Sequence, residues 1–138
     1  IFALTKTYEM RTQGCYLNYL RVYVPPGSEL YACEGITDTA TVAEEAGKTM
    51  FSTFFVVPTA DCRTVRFTYS IPRSSVGEYR LLVQKQAGTD AVPLEVHVAL
   101  PPGVKVLSSQ PEPSRRQQNV VSYALNLRRD RLLVLNLR

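Results

Sequence analysis

The feature that most limits what this chain can become is a two-residue alternation of apolar and polar side chains, broken at intervals by proline and glycine. Between residues 62 and 71, Val65, Phe67, Tyr69 and Ile71 fall on one side of an extended backbone, and Arg66, Thr68 and Ser70 on the other. Residues 16–24 repeat the pattern, with Leu20, Val22 and Val24 set against Tyr19, Arg21 and Tyr23. So do residues 92–100, where Val92, Leu94, Val96, Val98 and Leu100 share a side. Successive side chains of a strand point to opposite faces, so this period makes half-buried strands of an antiparallel sheet. No segment carries a 3.6-residue apolar stripe. Residues 40–47, with Ala43, Glu44, Glu45 and Ala46, come nearest to a helix, but Gly47 stops the run so early that a loop or strand is the better reading.

Turn residues close the runs: Pro25-Pro26-Gly27, Pro58-Thr59-Ala60-Asp61, Pro72, Gly88-Thr89-Asp90 and Pro101-Pro102-Gly103. Missing amide donors and unusual backbone angles are tolerated there and not inside a ladder. Phe51, Phe54, Phe55, Val56 and Val57 lack strict alternation and read as a central strand buried on both faces. Counting runs gives about ten strands at the spacing of a sandwich. The expected fold is therefore all-β, an antiparallel immunoglobulin-like β-sandwich of about ten strands.

The two halves of the chain resemble each other. Tyr8-Glu9-Met10-Arg11-Thr12-Gln13 has a counterpart in Tyr79-Arg80-Leu81-Leu82-Val83-Gln84. Leu20-Arg21-Val22-Tyr23-Val24, running into Pro25-Pro26-Gly27, aligns with Leu94-Glu95-Val96-His97-Val98, which reaches Pro101-Pro102-Gly103 two residues later. The hairpin Phe55-Val56-Val57 to Val65-Arg66-Phe67 answers to Tyr123-Ala124-Leu125 to Leu133-Val134-Leu135. The spacing between counterparts drifts, so insertions have to be allowed. On this reading, residues 1–74 and 75–138 are internal repeats of about five strands each. Five strands make a thin core, so the halves are expected to form one unit over residues 1–138, with two small tandem β modules as the alternative.

Composition bounds the function. With 138 residues, 45% hydrophobic and 20% charged, the chain is neither disordered nor too short for a core. No apolar run approaches the ~18 residues of a membrane helix. Ile1-Phe2-Ala3-Leu4-Thr5-Lys6 already reads as a strand, which suggests a piece of a longer polypeptide. Three cysteines, Cys15, Cys33 and Cys62, and one histidine, His97, fit no zinc spacing. One disulfide with a free thiol and three free thiols both satisfy the count. Nothing in the sequence calls for a cofactor or a metal.

Residues 1–70 hold six Lys/Arg against seven Asp/Glu, whereas residues 71–138 hold ten against five. The excess comes largely from Arg115, Arg116, Arg128, Arg129, Arg131 and Arg138. Of these, Arg115, Arg116, Arg128, Arg129 and Arg131 form a candidate patch for an anionic partner, although charged hairpin tips that keep strand edges soluble explain them as well. No nucleic-acid motif accompanies them.

No nucleophile elbow, phosphate loop, zinc helix or calcium loop is present. His97 lies on the non-core side of its strand beside Glu95, with no nucleophile fixed near it by sequence. Glu44-Glu45 reads as solvated loop charge, and Asp61 as a turn residue accepting backbone hydrogen bonds. The most suggestive surface is Tyr19, Arg21 and Tyr23, which would present two phenol rings and a guanidinium in a row. Such a row suits a protein partner or a sugar, and equally suits packing under a neighbouring domain.

Several blocks resemble the C-terminal region of a family of large bacterial proteins defined as a domain of unknown function. They are Asn18-Tyr19-Leu20-Arg21-Val22-Tyr23-Val24-Pro25-Pro26-Gly27-Ser28; Gly47-Lys48-Thr49-Met50-Phe51 running into Phe54-Phe55-Val56-Val57-Pro58; Tyr69-Ser70-Ile71-Pro72; and Tyr79 through Thr89. The resemblance spans about residues 16–100. It implies an N-terminal membrane anchor outside this chain and an extracytoplasmic location at the cell surface or envelope. It carries over no catalytic residues. The expected function is a non-catalytic structural or protein-interaction module of a bacterial cell-envelope protein, with a carbohydrate-binding module using Tyr19, Arg21 and Tyr23 as the alternative. The implied partners are other domains of the same polypeptide, cell-surface proteins or a polysaccharide, and not nucleic acid. A hydrolase whose site lies mostly upstream is a third reading.

Overall fold

The computed structural model describes residues 2–9, 14–72 and 77–138. Its described residues hold no helix and twelve strands. The chain divides into two compact units, Ile1–Ser74 and Ser75–Arg138.

The first unit contains β1 (Phe2–Glu9), β2 (Tyr16–Val24), β3 (Glu29–Glu34), β4 (Thr41–Glu45), β5 (Lys48–Val57) and β6 (Cys62–Ser70). They pair antiparallel in two sheets, β1-β6-β3 and β2-β5-β4. Alternation decides what each sheet buries. Val24 of β2, Phe51, Phe55 and Val57 of β5, and Val65 and Phe67 of β6 form one core, with Leu20, Val22, Leu30 and Tyr69 packed against it. Both sheets thus close on the same apolar interior in a sandwich-like arrangement. Phe51, Phe55 and Phe67 are completely buried, each contributing about 1.5–3 kcal/mol of transfer free energy. The Phe51 and Tyr69 rings meet edge to face at 5.5 Å, the geometry that the ring quadrupole favours.

The second unit contains β7 (Glu78–Val83), β8 (Val92–Ala99), β9 (Val106–Gln110), β10 (Arg115–Gln117), β11 (Val120–Leu127) and β12 (Arg131–Leu137). Its sheets are β7-β12-β9 and β8-β11-β10. Leu100, Val121, Tyr123, Leu133 and Leu135 make its core, supported by Tyr79, Leu81, Val96 and Val98. Tyr123 is buried, and its hydroxyl donates to Ser109 Oγ at 2.7 Å while Ser109 Oγ donates to the Pro111 carbonyl at 2.8 Å. The polar end of the ring is therefore satisfied inside the core.

The strand order is the same in both units: first-sixth-third in one sheet, second-fifth-fourth in the other. Local devices match too. Pro25-Pro26-Gly27-Ser28 and Pro101-Pro102-Gly103-Val104 each close a turn with a 3.2 Å hydrogen bond, from Ser28 N to Pro25 O and from Val104 N to Pro101 O. Gly27 and Gly103 have φ of 80° and 84°, the positive angle a type II turn demands at its third position. Four residues after each glycine, the third strand bulges, at Tyr31 in β3 and at Leu107 in β9.

Two expectations change and one holds. Twelve strands replace about ten, because β4 and β10 are short and exposed along their whole length, so no dry side marks them in the sequence. The segment 40–47 is strand and turn and not helix, as read: β4 leads into a turn at Ala46 (φ 51°) and Gly47 (φ 70°) that opens β5. β5 is central but not buried on both faces, since Phe54 is 40% exposed.

Candidate functional site

Tyr19, Arg21 and Tyr23 lie on the outward side of β2, because Leu20, Val22 and Val24 take the core side. Register with β5 places Leu17 opposite Val56, Tyr19 opposite Phe54, Arg21 opposite Ser52 and Tyr23 opposite Met50. Thr41 of β4 continues the Arg21–Ser52 row. Leu17 is 63%, Tyr19 55% and Tyr23 45% exposed. The result is an open apolar sheet face with a polar row across it.

That row is tightly bonded. Arg21 Nη1 donates to Tyr23 Oη at 3.3 Å, and Tyr23 Oη donates to Glu45 Oε2 at 2.5 Å. Arg21 Nη1 stands 3.7 Å from Glu45 Oε2, and its Cζ lies over the Tyr19 ring, 5.5 Å from the centroid. The hydrogen bond to Tyr23, with a smaller contribution from Glu45, raises the guanidinium's pKa above its ordinary value. Glu44 is bonded as well: Thr49 Oγ1 donates to Glu44 Oε1 at 2.6 Å and accepts from Gly27 N at 3.0 Å. The Glu44-Glu45 pair is exposed, as read, but it ends a strand instead of lying in a loop, and both carboxylates are hydrogen bonded. It ties a turn and a sheet face in place.

The corresponding face of the second unit carries smaller or more polar side chains. His97 and Arg115 flank Ser122, Glu95 is opposite Ala124, and Pro93 is opposite Asn126. His97 Nδ1 is 2.9 Å from Ser122 Oγ, and His97 Nε2 is 3.6 Å from Glu95 Oε2. Sequence reading missed Ser122, because its proximity to His97 comes from the β8–β11 register and from no local motif. Hydroxyl, imidazole and carboxylate stand in the order of a nucleophile, base and orienter. The imidazole and carboxylate are, however, largely exposed on an open strand face, where water screens their electrostatics.

The five arginines do not converge. Arg115 and Arg116 pair with Ser122 and Val121, near the start of β11. Arg128 and Arg129 lie beyond its far end, six strand residues or about 20 Å from Ser122. Arg131 is partly buried, and its Nε donates to the Asn126 carbonyl at 3.2 Å.

A shallow depression of about 400 Å³ is lined by residues including Leu30, Cys33, Ile36, Asp38 and Thr39. Burial first, and Glu34 second, raise the Cys33 pKa, which holds it as the poorly nucleophilic thiol. Cys15, Cys33 and Cys62 are all free. Among the described residues no cluster of three or more His, Cys, Asp or Glu is placed to hold a metal ion, and no helix is long and apolar enough to cross a membrane. No family model, curated protein or solved structure matches the chain.

Proposed function

We propose that the chain is a non-catalytic protein-interaction module of a bacterial cell-envelope protein, built from two duplicated immunoglobulin-like sandwiches, with the outward face of the β2-β5-β4 sheet as its binding surface. The immunoglobulin likeness rests on strand order. In each unit the second, fifth and fourth strands share a sheet as B, E and D do, and the third and sixth pair as C and F do. Duplication is supported by the shared order, the paired Pro-Pro-Gly turns and the paired bulges. The extracytoplasmic setting rests on the sequence blocks between residues 16 and 100.

The observation that carries the binding role is the contrast between the two outward faces. Where the first unit has Leu17, Tyr19, Phe54 and Val56, the second has Pro93, Glu95, Ala124 and Asn126 in the same register positions. One frame closes its core with either set, so the aromatic set is not required for folding. Large apolar patches on a soluble surface mark interaction sites, and tyrosine and arginine are the side chains that dominate protein interfaces. A sugar platform fits less well, because the Arg21 guanidinium lies over the Tyr19 ring on which a sugar would stack. Photo-crosslinking in the cells that make the protein tests this. A benzophenone side chain at position 54 is expected to give a protein adduct, and one at position 124 none. Equal labelling at both positions, or a polysaccharide adduct at position 54, would overturn the reading.

A further inference from the structure

Each three-stranded sheet leaves two strands with an open row of backbone donors and acceptors, and most of these edges are blunted. β3 and β9 bulge at Tyr31 and Leu107, β8 carries Pro93, β1 carries Lys6, and β7 carries Glu78 and Arg80. β4 has five residues ending in two glutamates, and β10 has three. These are the usual protections against edge-to-edge pairing. β2 carries one charge, Arg21, already engaged by Tyr23 and Glu45, and otherwise none of them. It runs nine residues, Tyr16–Val24, without proline, glycine, lysine or bulge, in unbroken register with β5, its one ladder partner among the described residues.

We propose that β2 is the seam of a homodimer, in which β2 of a second copy adds antiparallel across a twofold axis at Leu20. An antiparallel strand paired with itself about residue 20 sets each residue against the one equally far beyond the axis. Tyr19 then faces Arg21 of the second copy, and Leu17 faces its Tyr23. The side chains complement one another: a guanidinium meets a tyrosine ring and leucine meets tyrosine, each contact occurring twice by symmetry. The two β2-β5-β4 sheets become one six-stranded sheet, in which each Phe54–Tyr19 row runs into the Arg21–Ser52 row of the second copy. The inference rests on reading this face as an interaction surface, and it names the partner as a second copy of the chain.

Sedimentation equilibrium of the 138-residue chain over a wide concentration range tests it. The wild type is expected to dimerise. Tyr19→Lys sets an ammonium against Arg21 of the second copy and weakens association about tenfold or more. Tyr19→Glu, which installs the second unit's Glu95, sets opposite charges together and stays within about threefold of wild type. Leu107→Lys, at a site 63% exposed, leaves association unchanged. A wild type that is monomeric at every concentration, or equal weakening by Tyr19→Lys and Tyr19→Glu, overturns the seam. A monomer that still gives a heterologous adduct from position 54, on the middle strand, would reject the seam and keep the interaction reading. Loss of both would reject both.

Discussion

Ser52 and Ser122 occupy the same place in two copies of one frame. Each lies on the middle strand of its sheet and in the middle of a cross-strand row, Ser52 between Arg21 and Thr41, Ser122 between His97 and Arg115. Ser52 Oγ hydrogen bonds with Thr41 Oγ1 at 3.1 Å, and Ser122 Oγ with His97 Nδ1 at 2.9 Å. The small hydroxyl lets neighbours of very different size share the row, so the frame holds while the surface chemistry changes.

Gly35 should be intolerant of any side chain. Its φ is +76°, and a Cβ there would lie against the Thr64 carbonyl oxygen on the neighbouring β6 backbone. Gly35→Ala is expected to cost the first unit about 3 kcal/mol or more, combining a left-handed backbone with a clash against main chain. Gly47→Ala, at φ +70° with open space around it, should cost about 1 kcal/mol. Urea unfolding of the two variants gives the comparison.

Phe67→Ala removes a fully buried ring from the joint between sheets and is expected to cost about 3–5 kcal/mol. Phe54→Ala, on the outward side of β5, should change stability by less than about 1 kcal/mol. Similar losses from the two would contradict the assigned faces of the sheet.

Stability should fall in alkali. Burial raises the Tyr69 pKa, because a phenolate inside the core would lose its hydration. The unfolded chain therefore releases this proton at lower pH than the folded chain. The contribution is fully present below the unfolded value near 10 and is lost as pH rises through the folded value. Cys33, also raised by burial, acts in the same direction from a lower starting point. Thermal melts from pH 8 upward should decline, and Tyr69→Phe should decline less steeply.

The Ser122–His97–Glu95 row should be chemically silent. Hydrolysis of an activated ester by the wild type is expected to equal that of Ser122→Ala and of His97→Ala. A rate that falls with Ser122→Ala would identify an acyl-transfer site and end the non-catalytic reading.

Alternation made the interior legible. Val24, Val65, Phe67 and Leu100 are buried where their period put them. The same period blurred the correspondence between the halves. A strand slid by two residues presents the same faces, so Leu20 aligns with Leu94 in sequence as readily as with its register counterpart Val96. The ladders remove that freedom: Val24 directly precedes its Pro-Pro-Gly turn, as Leu100 does, and Phe51 and Val121 pair with Val22 and Val98. β10 stayed illegible, and β4 undecided between loop and strand, because an exposed edge has no dry side to betray it. Of the candidate face, β2 supplied Tyr19, Arg21 and Tyr23 directly, while Phe54, Met50 and Glu45 joined them through pairings that no local pattern encodes.

The matched bulges at Tyr31 and Leu107 have a practical reach. They fix where the third strand bends in each unit, so residues can be exchanged between units position for position. Grafting Leu17, Tyr19, Phe54 and Val56 onto the second unit, or Pro93, Glu95, Ala124 and Asn126 onto the first, would yield chains that carry the aromatic set twice or not at all, their interiors untouched.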